Sequence, residues 1–404
     1  MTTSRRSFFH SATIAAAAAI SGNSSKAADI VRDLPNPSKA SEDRASEIKI
    51  SALYATRVGT KAYVRIDTSH KISGWGEITG LDPEVACSLA RSMFELIDGE
   101  NPTRIEYLWQ KIYRSHRDMR GGPFMVHVLS AIDMALWDIT GKLHGVPVYR
   151  LLGGPTRDKI RMYPHAKAYK VPAGGPRPWS ANPKELENLA RSIAEARTRV
   201  GPDGTLMFDA HCCLPPPMLI QFASMVKAYD LIWIEEPAVP GNIEVFKRLK
   251  AAIPIPLATG ERDRTIWEMI PYLQERCIDI LQPDVGHTGG ISQIKKIATL
   301  AEAYHVPLAP HCTQSELGLT ASLHAVAGIP NFLIQEGYID GHIMPPGVAL
   351  KNWTQDKDGY ASLPQGPGLG VEIDETAILA VNQDPKRQYK WPRPKSPDGS
   401  IVDY

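Results

Sequence analysis

Six short apolar segments in the second half of the chain each end in an ionisable residue. They lie between residues 205 and 336, and their final residues recur at intervals of about 25 residues, the length of one strand plus one helix. The six final residues are Asp209, Glu235, Glu261, Asp284, His311 and Glu336. Apolar strands that alternate with helices are typical of buried parallel βαβ units. This spacing therefore predicts an α/β fold around a parallel sheet.

Two architectures are built from such units. In a (β/α)8 barrel the carboxyl ends of all strands meet at one rim, where active sites lie. A doubly wound sheet instead binds its ligand at a single switch point. Because ionisable residues follow six consecutive strands, the sequence favours a modified TIM-type barrel, which we place at residues 156–345.

The first βα unit of this barrel is predicted to be shortened. Residues 160–164 and 168–171 both resemble strands, but only about three residues separate them. A parallel crossover needs a dozen or more residues, usually a helix. Either the unit has lost its helix, or one of the two segments is not a barrel strand.

The first half of the chain predicts a separate α+β capping domain at residues 48–155. Alternating apolar residues between positions 48 and 77 predict an antiparallel meander. Two amphipathic helices follow, one beginning at Asp82-Pro83 and one ending at Gly141. Residues 346–404 are predicted to return to this domain after the barrel.

The N-terminus resembles a twin-arginine export signal. Arg5-Arg6 precedes a short, weakly apolar stretch at residues 12–20, which is too short to span a bilayer. We therefore expect residues 1–28 to be a signal peptide, residues 29–47 to be a polar leader, and the protein to be exported or periplasmic.

Composition excludes several classes of protein. The 404 residues include 45 Lys and Arg against 44 Asp and Glu, so a nucleic-acid partner is not expected. No run of about 18 apolar residues is present, so no membrane partner is expected. The five cysteines form no Cys-x-x-Cys pair. They predict neither a disulfide framework nor a zinc cluster, and buried thiols are favoured over a catalytic one.

Three of the strand-end residues, Asp209, Glu235 and Glu261, are carboxylates on successive strands. Carboxylates that converge on one rim repel each other, and a hard divalent cation neutralises them. All-oxygen ligands suit Mg²⁺. Pairing of each carboxylate with a barrel Lys or Arg is the alternative.

His311 and Asp284 end neighbouring strands, so their side chains are predicted to be in contact. A carboxylate behind an imidazole fixes its tautomer and raises its basicity, as a general base requires. For His305 and His324 we expect an ordinary structural role instead.

His211 lies two residues after Asp209, so in an extended strand end both side chains would point to the same side. Two histidines in one site permit acid–base elimination, with His311 as the base; a structural role for His211 is the alternative. Glu336 is a candidate hydrogen-bonding partner of the substrate, with a rim salt bridge as its alternative. Lys170 places a positive charge near the same region.

The sequence resembles the enolase superfamily, in particular its mandelate racemase and muconate lactonizing enzyme-like branch. It is closest in motif to sugar-acid dehydratases of the galactonate and mannonate type. The resemblance extends over residues 48–380 and is carried by residues 130–138 and 151–154, Trp233-Ile234-Glu235-Glu236-Pro237, Gly260-Glu261, Gln282-Pro283-Asp284, Gly289-Gly290 and Pro367-Gly368-Leu369-Gly370. It implies a capping domain over a modified barrel, usually in a homo-oligomer.

The resemblance also implies roles for the strand-end residues. It implies that Mg²⁺ on Asp209, Glu235 and Glu261 binds the carboxylate of the substrate and stabilises an enediolate. It implies that His311, supported by Asp284, is the base that removes the proton α to that carboxylate.

Other positions match the family in part. Glu336 is implied to hydrogen-bond to the intermediate. Asp209-Ala210-His211 resembles the Asp-x-His of the sugar-acid dehydratases, in which the histidine expels the β-hydroxyl group. Lys170 resembles the first lysine of a Lys-x-Lys pair on the second strand, but Pro172 replaces the second, which counts against a two-base racemase. Asp284, where muconate cycloisomerase-type enzymes have lysine, counts against that activity.

We therefore expect a hydro-lyase that converts a sugar acid, a small carboxylate, into a 2-keto-3-deoxy acid. Two alternatives stay open. The same enediolate could lead to epimerisation of a hydroxy acid, or the shortened first unit could leave a binding protein without catalysis.

Overall fold

The computed structural model describes residues 47–115, 117–174, 183–338, 347–391, 395 and 399–401. The predicted signal peptide and all but the last residue of the polar leader lie outside this part of the chain, so both stay predictions.

The first domain is a three-stranded antiparallel meander followed by helices. Its strands pair in the order β1 (Ile50–Val58), β2 (Lys61–Thr68) and β3 (Ser73–Ile78). The helices are α1 (Pro83–Met93), α2 (Ile105–Ser115), α3 (Pro123–His144) and the short α4 (Val148–Leu151). Asp82 caps α1, because its side chain accepts hydrogen bonds from the backbone N–H groups of Glu84 and Val85. Strands precede helices, as the sequence predicts.

Helix α3 is longer than its pattern indicates. The predicted end at Gly141 is wrong: the helix continues to His144 and ends at Gly145, whose φ of 68° is left-handed. Gly141 stays helical, and its missing side chain lets the backbone of Gly368 approach. The helix is long and apolar enough to cross a membrane, but 89% of its most apolar window is buried in the fold. It is therefore a core helix of this domain.

The second domain contains the predicted parallel strands. A five-stranded sheet has the order β5 (Ala168–Pro172), β6 (Thr205–Asp209), β7 (Ile234–Glu235), β8 (Leu257–Thr259) and β9 (Ile280–Leu281). Parallel bridges join Leu281 to Leu308 and Leu308 to Phe332. The last strand, β10 (Gln335–Glu336), pairs in parallel with the first, β4 (Lys159–Tyr163), which continues the barrel around its circumference.

Helices connect these strands. They are α5 (Pro183–Val200), α6 (Pro216–Val226), α7 (Ile243–Ala252), α8 (Thr265–Gln274), α9 (Gly290–Ala303) and α10 (Glu316–Ala327). A separate apolar cluster takes one buried residue from each of the eight strand positions: Tyr163, Ala168, Met207, Trp233, Ala258, Ile280, Ala309 and Ile334. Layers of inward-facing side chains of this kind fill the interior of a TIM-type barrel.

The first βα unit has lost its helix, as predicted. Residues 164–167 alone connect β4 to β5. His165 and Ala168 exchange two backbone hydrogen bonds, of 2.9 and 3.0 Å, which close this connection as a tight turn. Strand β4 pairs on its other side with β12 (Tyr360–Ser362), an antiparallel strand from the C-terminal segment.

The C-terminal segment also contains β11 (Ala349–Leu350), β13 (Glu372–Ile373) and helix α11 (Glu375–Gln383). Asn382 in α11 binds the turn between β1 and β2: its amide donates to the carbonyl of Arg57 and accepts from the N–H of Gly59. The segment therefore contacts the first domain.

Candidate active site

The strand ends place buried acids at one rim of the barrel. Asp209 ends β6 beside Glu235, which ends β7, in parallel register. Glu261 lies two residues beyond β8, and Asp284 three residues beyond β9. Asp209, Glu235 and Asp284 are at most 1% exposed. Parallel pairing therefore turns a periodic sequence pattern into a cluster of carboxylates.

Lys170 on β5 lies at the centre of this cluster. Its Nζ is 2.6 Å from Glu235 Oε1, 2.9 Å from Glu336 Oε1 and 3.1 Å from Asp209 Oδ2. Burial alone would lower the pKa of Lys170, but the charges of Glu235 and Glu336 outweigh burial and raise it well above its usual value. The structure brings Lys170 into the site although the barrel lacks its first helix.

One lysine does not neutralise the carboxylates around it. Burial raises the pKa of Glu235 to about 7 and that of Glu261 well above its usual value. Within the described part of the chain, Glu261 Oε2 is buried and has no hydrogen-bond partner. Excess negative charge and an unused carboxylate oxygen are what a hard divalent cation requires, so the chemistry of these residues fits the metal.

Two groups of three residues each have potential ligand atoms that lie within 4.8 Å of one another inside the group. The first is Asp209, His211 and Glu236, and the second is Asp284, His287 and His311. The three predicted metal ligands form no group of this compactness among the described residues, and Lys170 Nζ lies between Asp209 and Glu235 instead. In the first group, Glu236 is already paired with Arg262, at 2.6 Å from its Nε.

His311 and Asp284 form the predicted pair. His311 Nδ1 lies 2.6 Å from Asp284 Oδ2, and because a carboxylate oxygen accepts, Nδ1 is the donor. His311 Nε2 lies 3.7 Å from Glu261 Oε1 and 3.9 Å from Glu336 Oε2. Burial opposes protonation of the imidazole, but the charge of Glu261 and the bond to Asp284 raise the pKa of His311 well above its usual value.

The side chain of His211 contacts Asp209, but the backbone between them differs from the prediction. The predicted extended strand end is wrong, because His211 and Cys212 have φ values of 46° and 55° in the left-handed region. This turn brings His211 Nε2 to 3.0 Å from Asp209 Oδ2 and leaves the side chain 45% exposed. The hydrogen bond to Asp209 raises the pKa of His211. The two side chains therefore meet, as the sequence predicts.

Glu336 connects the lysine to the histidine. Its Oε1 pairs with Lys170, and its Oε2 accepts from the backbone N–H of Cys312, at 3.2 Å. It therefore lies between His311, the predicted base, and the ammonium of Lys170.

Sequence reasoning missed several residues that hold this site. Trp233 donates from Nε1 to Glu235 Oε2 at 3.0 Å, and its position two residues before Glu235 in an apolar segment could have shown it. Gln314 donates from Nε2 to both Asp284 Oδ1 and Thr79 Oγ1. No local pattern in the sequence indicates these two. The cysteines are free thiols, four of them buried, as expected.

Comparison with known families shows which family this chain belongs to. Residues 43–153 match the mandelate racemase / muconate lactonizing enzyme N-terminal domain, and residues 158–377 match the enolase C-terminal domain-like family. The chain belongs to the enolase superfamily. Members of this superfamily use a divalent metal. The family resemblance and the capped barrel predicted from the sequence are confirmed.

Relatives of this enolase-superfamily chain include D-galactonate dehydratases. A D-galactonate dehydratase from Ralstonia pickettii (strain 12J) is 33% identical over 388 residues, covering 88% of this chain and 100% of that protein. A D-galactonate dehydratase family member from Streptomyces bingchenggensis (strain BCW-1) is 33% identical over 391 residues, covering 84% and 93%. The chain is therefore a hydro-lyase, which confirms the predicted enzyme class.

Solved structures of superfamily members have the same fold. An enolase from Agrobacterium radiobacter, bound to Na and L-malate, matches with a TM-score of 0.79 at 30% identity and covers 88% of this chain and 100% of that chain. A mandelate racemase/muconate lactonizing enzyme-like protein from Rubrobacter xylanophilus DSM 9941 matches with a TM-score of 0.77 at 28% identity, covering 83% and 98%.

Proposed function

We propose that this protein is a Mg²⁺-dependent sugar-acid dehydratase. It removes the proton α to the carboxylate of its substrate, eliminates the β-hydroxyl group and releases a 2-keto-3-deoxy acid. One observation carries the proposal: the site holds two histidines with separate carboxylate partners, His311 on Asp284 and His211 on Asp209. Elimination needs one base and one acid. The D-galactonate dehydratases among the relatives support the same reaction.

His311 is the proposed base. Because Asp284 accepts the Nδ1 hydrogen, the lone pair of the neutral ring is on Nε2, which lies towards Glu261 and Glu336. Transfer of the α-proton to Nε2 creates an imidazolium that Asp284 stabilises. The electron pair left on carbon spreads into the substrate carboxylate as an enediolate.

His211 is the proposed acid. The hydrogen bond to Asp209 raises its pKa and so favours the protonated ring, and the half-exposed ring can reach a ligand at the rim. As the enediolate collapses, the bond between the β-carbon and its oxygen breaks, and the proton of His211 completes the departing water. The enol that remains tautomerises to the 2-keto acid.

Asp209, Glu235 and Glu261 are the proposed ligands of Mg²⁺. An ion held there would supply positive charge to pair with the substrate carboxylate and to offset the negative field that raises the pKa of His311. Lys170 contributes a second, permanent positive charge to the same side of the site. Glu336 can hydrogen-bond to the intermediate.

The test is turnover of a panel of sugar acids, including D-galactonate, D-gluconate and D-mannonate, with Mg²⁺. We expect a 2-keto acid from at least one member, and no product from the His311→Asn variant. Titration calorimetry with Mg²⁺ verifies that the metal is bound. If every acid is recovered unchanged from the metal-loaded protein, the proposal is wrong. Exchange of the α-proton in D₂O without loss of water would identify an epimerase instead.

Export of the protein is a second proposal, supported by Arg5-Arg6 and the apolar stretch at residues 12–20. In a bacterial host with a twin-arginine system we expect a processed chain in the periplasm. The double variant Arg5→Lys, Arg6→Lys should remain in the cytoplasm at full mass. An unprocessed wild-type chain in the cytoplasm would contradict the proposal.

The family resemblance also supports a homo-oligomer. Light scattering of the purified protein measures its mass directly, and a mass near 44.4 kDa, that of one chain, would contradict this expectation.

A further inference from the structure

We propose that the capping domain positions the catalytic base, through Thr79 and Gln314. Gln314 holds one oxygen of Asp284 so that the other always faces His311, and Thr79, from the end of the capping sheet, orients Gln314. Neither residue is expected to touch the substrate. The inference rests on the proposed role of His311 as base.

The two oxygens of Asp284 have separate partners. Oδ1 accepts from Gln314 Nε2 at 2.5 Å and from the backbone N–H of Gly286 at 2.7 Å. Oδ2 accepts from His311 Nδ1. Because both donors to Oδ1 are fixed, rotation of the carboxylate breaks two hydrogen bonds. The orientation of His311 therefore depends on Gln314.

The donors and acceptors of the hydrogen bonds can be assigned from the barrel as far as Thr79 in the capping domain. The carbonyl of Glu261 accepts from His287 Nδ1 at 3.0 Å, so His287 Nε2 is the acceptor in the neutral ring. Thr79 Oγ1, 3.1 Å from His287 Nε2, must then be the donor of that bond. Its lone pair is left to accept from Gln314 Nε2 at 3.3 Å. The donor and the acceptor of each bond in this chain are therefore assigned.

Gln314 packs closely against two glycines, Gly286 and Gly318. A Cβ atom at Gly286 would lie 2.7 Å from Gln314 Nε2, and one at Gly318 would lie 2.4 Å from Gln314 Cβ. Gln314 itself is fully buried. The side chain of Gln314 therefore occupies a space that is open only because positions 286 and 318 are glycine.

The segment that follows His311 is bound to the capping sheet as well. The buried carboxylate of Glu77 on β3 accepts from the backbone N–H groups of Ser315, at 2.8 Å, and Gly318, at 3.1 Å. Lys61 on β2 donates to the carbonyl of Thr313 at 2.5 Å. The capping sheet thus sets the place of residues 313–318 and, with it, the place of Gln314.

The experiment removes single hydrogen bonds from this chain. We compare Thr79→Val and Gln314→Met with Thr79→Ser, which keeps the hydroxyl, and with Thr140→Val. Thr140 is a buried capping-domain threonine whose hydroxyl donates within its own helix, to the carbonyl of Leu136. The readouts are kcat and KM for α-proton exchange in D₂O, and the NMR resonance of the His311 Nδ1 hydrogen.

We expect Thr79→Val and Gln314→Met to lower kcat by roughly 10- to 100-fold, as is usual for partners that orient a catalytic group, while KM changes less than about threefold. The resonance of the Nδ1 hydrogen should shift or broaden in both. Thr79→Ser and Thr140→Val should resemble the wild type. Unchanged kcat and resonance in both test variants, or an equal loss in Thr140→Val, would overturn the inference.

Failure of the proposed function is distinguishable from failure of this inference. If the wild type exchanges no sugar acid, the resonance of the His311 Nδ1 hydrogen still reports its bond to Asp284. A change of that resonance in Thr79→Val and Gln314→Met, without one in Thr140→Val, supports the positioning chain by itself. An unchanged resonance contradicts it.

Discussion

His311 Nδ1 and Asp284 Oδ2 lie 2.6 Å apart, and His311 has its other ring nitrogen towards Glu261 and Glu336. The electrostatic interaction with His287 and the hydrogen bonds from His311 and Gly286 outweigh burial and lower the pKa of Asp284 to about 2, so its carboxylate stays ionised. The pair therefore has a fixed tautomer and a defined reactive atom, Nε2, from which the division of roles in the site follows.

Replacement of His311 by Asn is expected to abolish exchange of the α-proton. Asparagine keeps a polar group beside Asp284 but offers no basic nitrogen at the position of Nε2. Loss of a general base costs about 10²- to 10⁴-fold in rate. NMR in D₂O measures the exchange, and Mg²⁺ affinity serves as the control for an intact site. Exchange at the wild-type rate would assign the base to another residue.

Replacement of His211 by Asn should separate the two steps of the reaction. The variant lacks the acid that protonates the leaving hydroxyl, so 2-keto acid formation should fall by about 10²-fold or more. Exchange of the α-proton should continue, because His311 and Asp284 are untouched. If exchange and elimination decline together, His211 serves the first step or the fold, and its assignment as acid is wrong.

Replacement of Lys170 by Met should make the fold depend on metal. The variant leaves Asp209, Glu235 and Glu336 without their shared cation, and an unpaired buried charge destabilises a protein by about 3–5 kcal/mol. In EDTA we expect a lower Tm than for the wild type. Mg²⁺ should raise the Tm of the variant more than that of the wild type, because a cation replaces the lost charge.

The matched control for this prediction is Lys250→Met, which removes a lysine that pairs with Asp279 away from the site. Its response to Mg²⁺ should equal that of the wild type. A Lys170→Met variant with no gain from Mg²⁺ would show that these carboxylates do not bind the ion.

Because His324 is buried as a neutral ring, the free energy of unfolding should decrease in acid. Its Nε2 donates to the carbonyl of Leu369, and its Nδ1 accepts from the N–H of Tyr149, so a proton on Nδ1 has no acceptor. Burial lowers the pKa of His324 to about 4. The unfolded chain binds this proton near pH 6.5 and the folded chain does not. The contribution of neutral His324 to the free energy of unfolding is therefore complete above pH 6.5 and is lost as the pH falls from 6.5 to 4.

The loss amounts to about 3 kcal/mol. Denaturant unfolding at pH 7 and pH 4 measures it, and His324→Asn, which cannot be protonated, is the reference that removes all other acid effects. Parallel pH profiles for the two proteins would contradict the prediction. The contacts of His324 agree with the structural role expected from the sequence.

Much of this protein can be predicted from local pattern. Strand and helix periodicity placed Asp209, Glu235 and Glu261 at the rim, and the three residues between two strand-like segments predicted the lost helix. Chain geometry explains this success, because covalent spacing determines which residue ends a strand and whether a crossover has room for a helix.

The positions of side chains at the site depend on packing instead. Lys170 follows the shortened unit, yet its ammonium lies among three carboxylates, and His211 meets Asp209 through a left-handed turn that no periodicity indicates.

The sequence by itself determined the capped barrel, the carboxylates at its rim and the pairing of His311 with Asp284, since neighbouring strands bring their ends together. Only the tertiary structure decided what holds that pair. Thr79 and Gln314 are 235 residues apart and meet where the capping sheet packs on the barrel. Contacts between distant segments arise from the packing of whole surfaces, which no short window of sequence records.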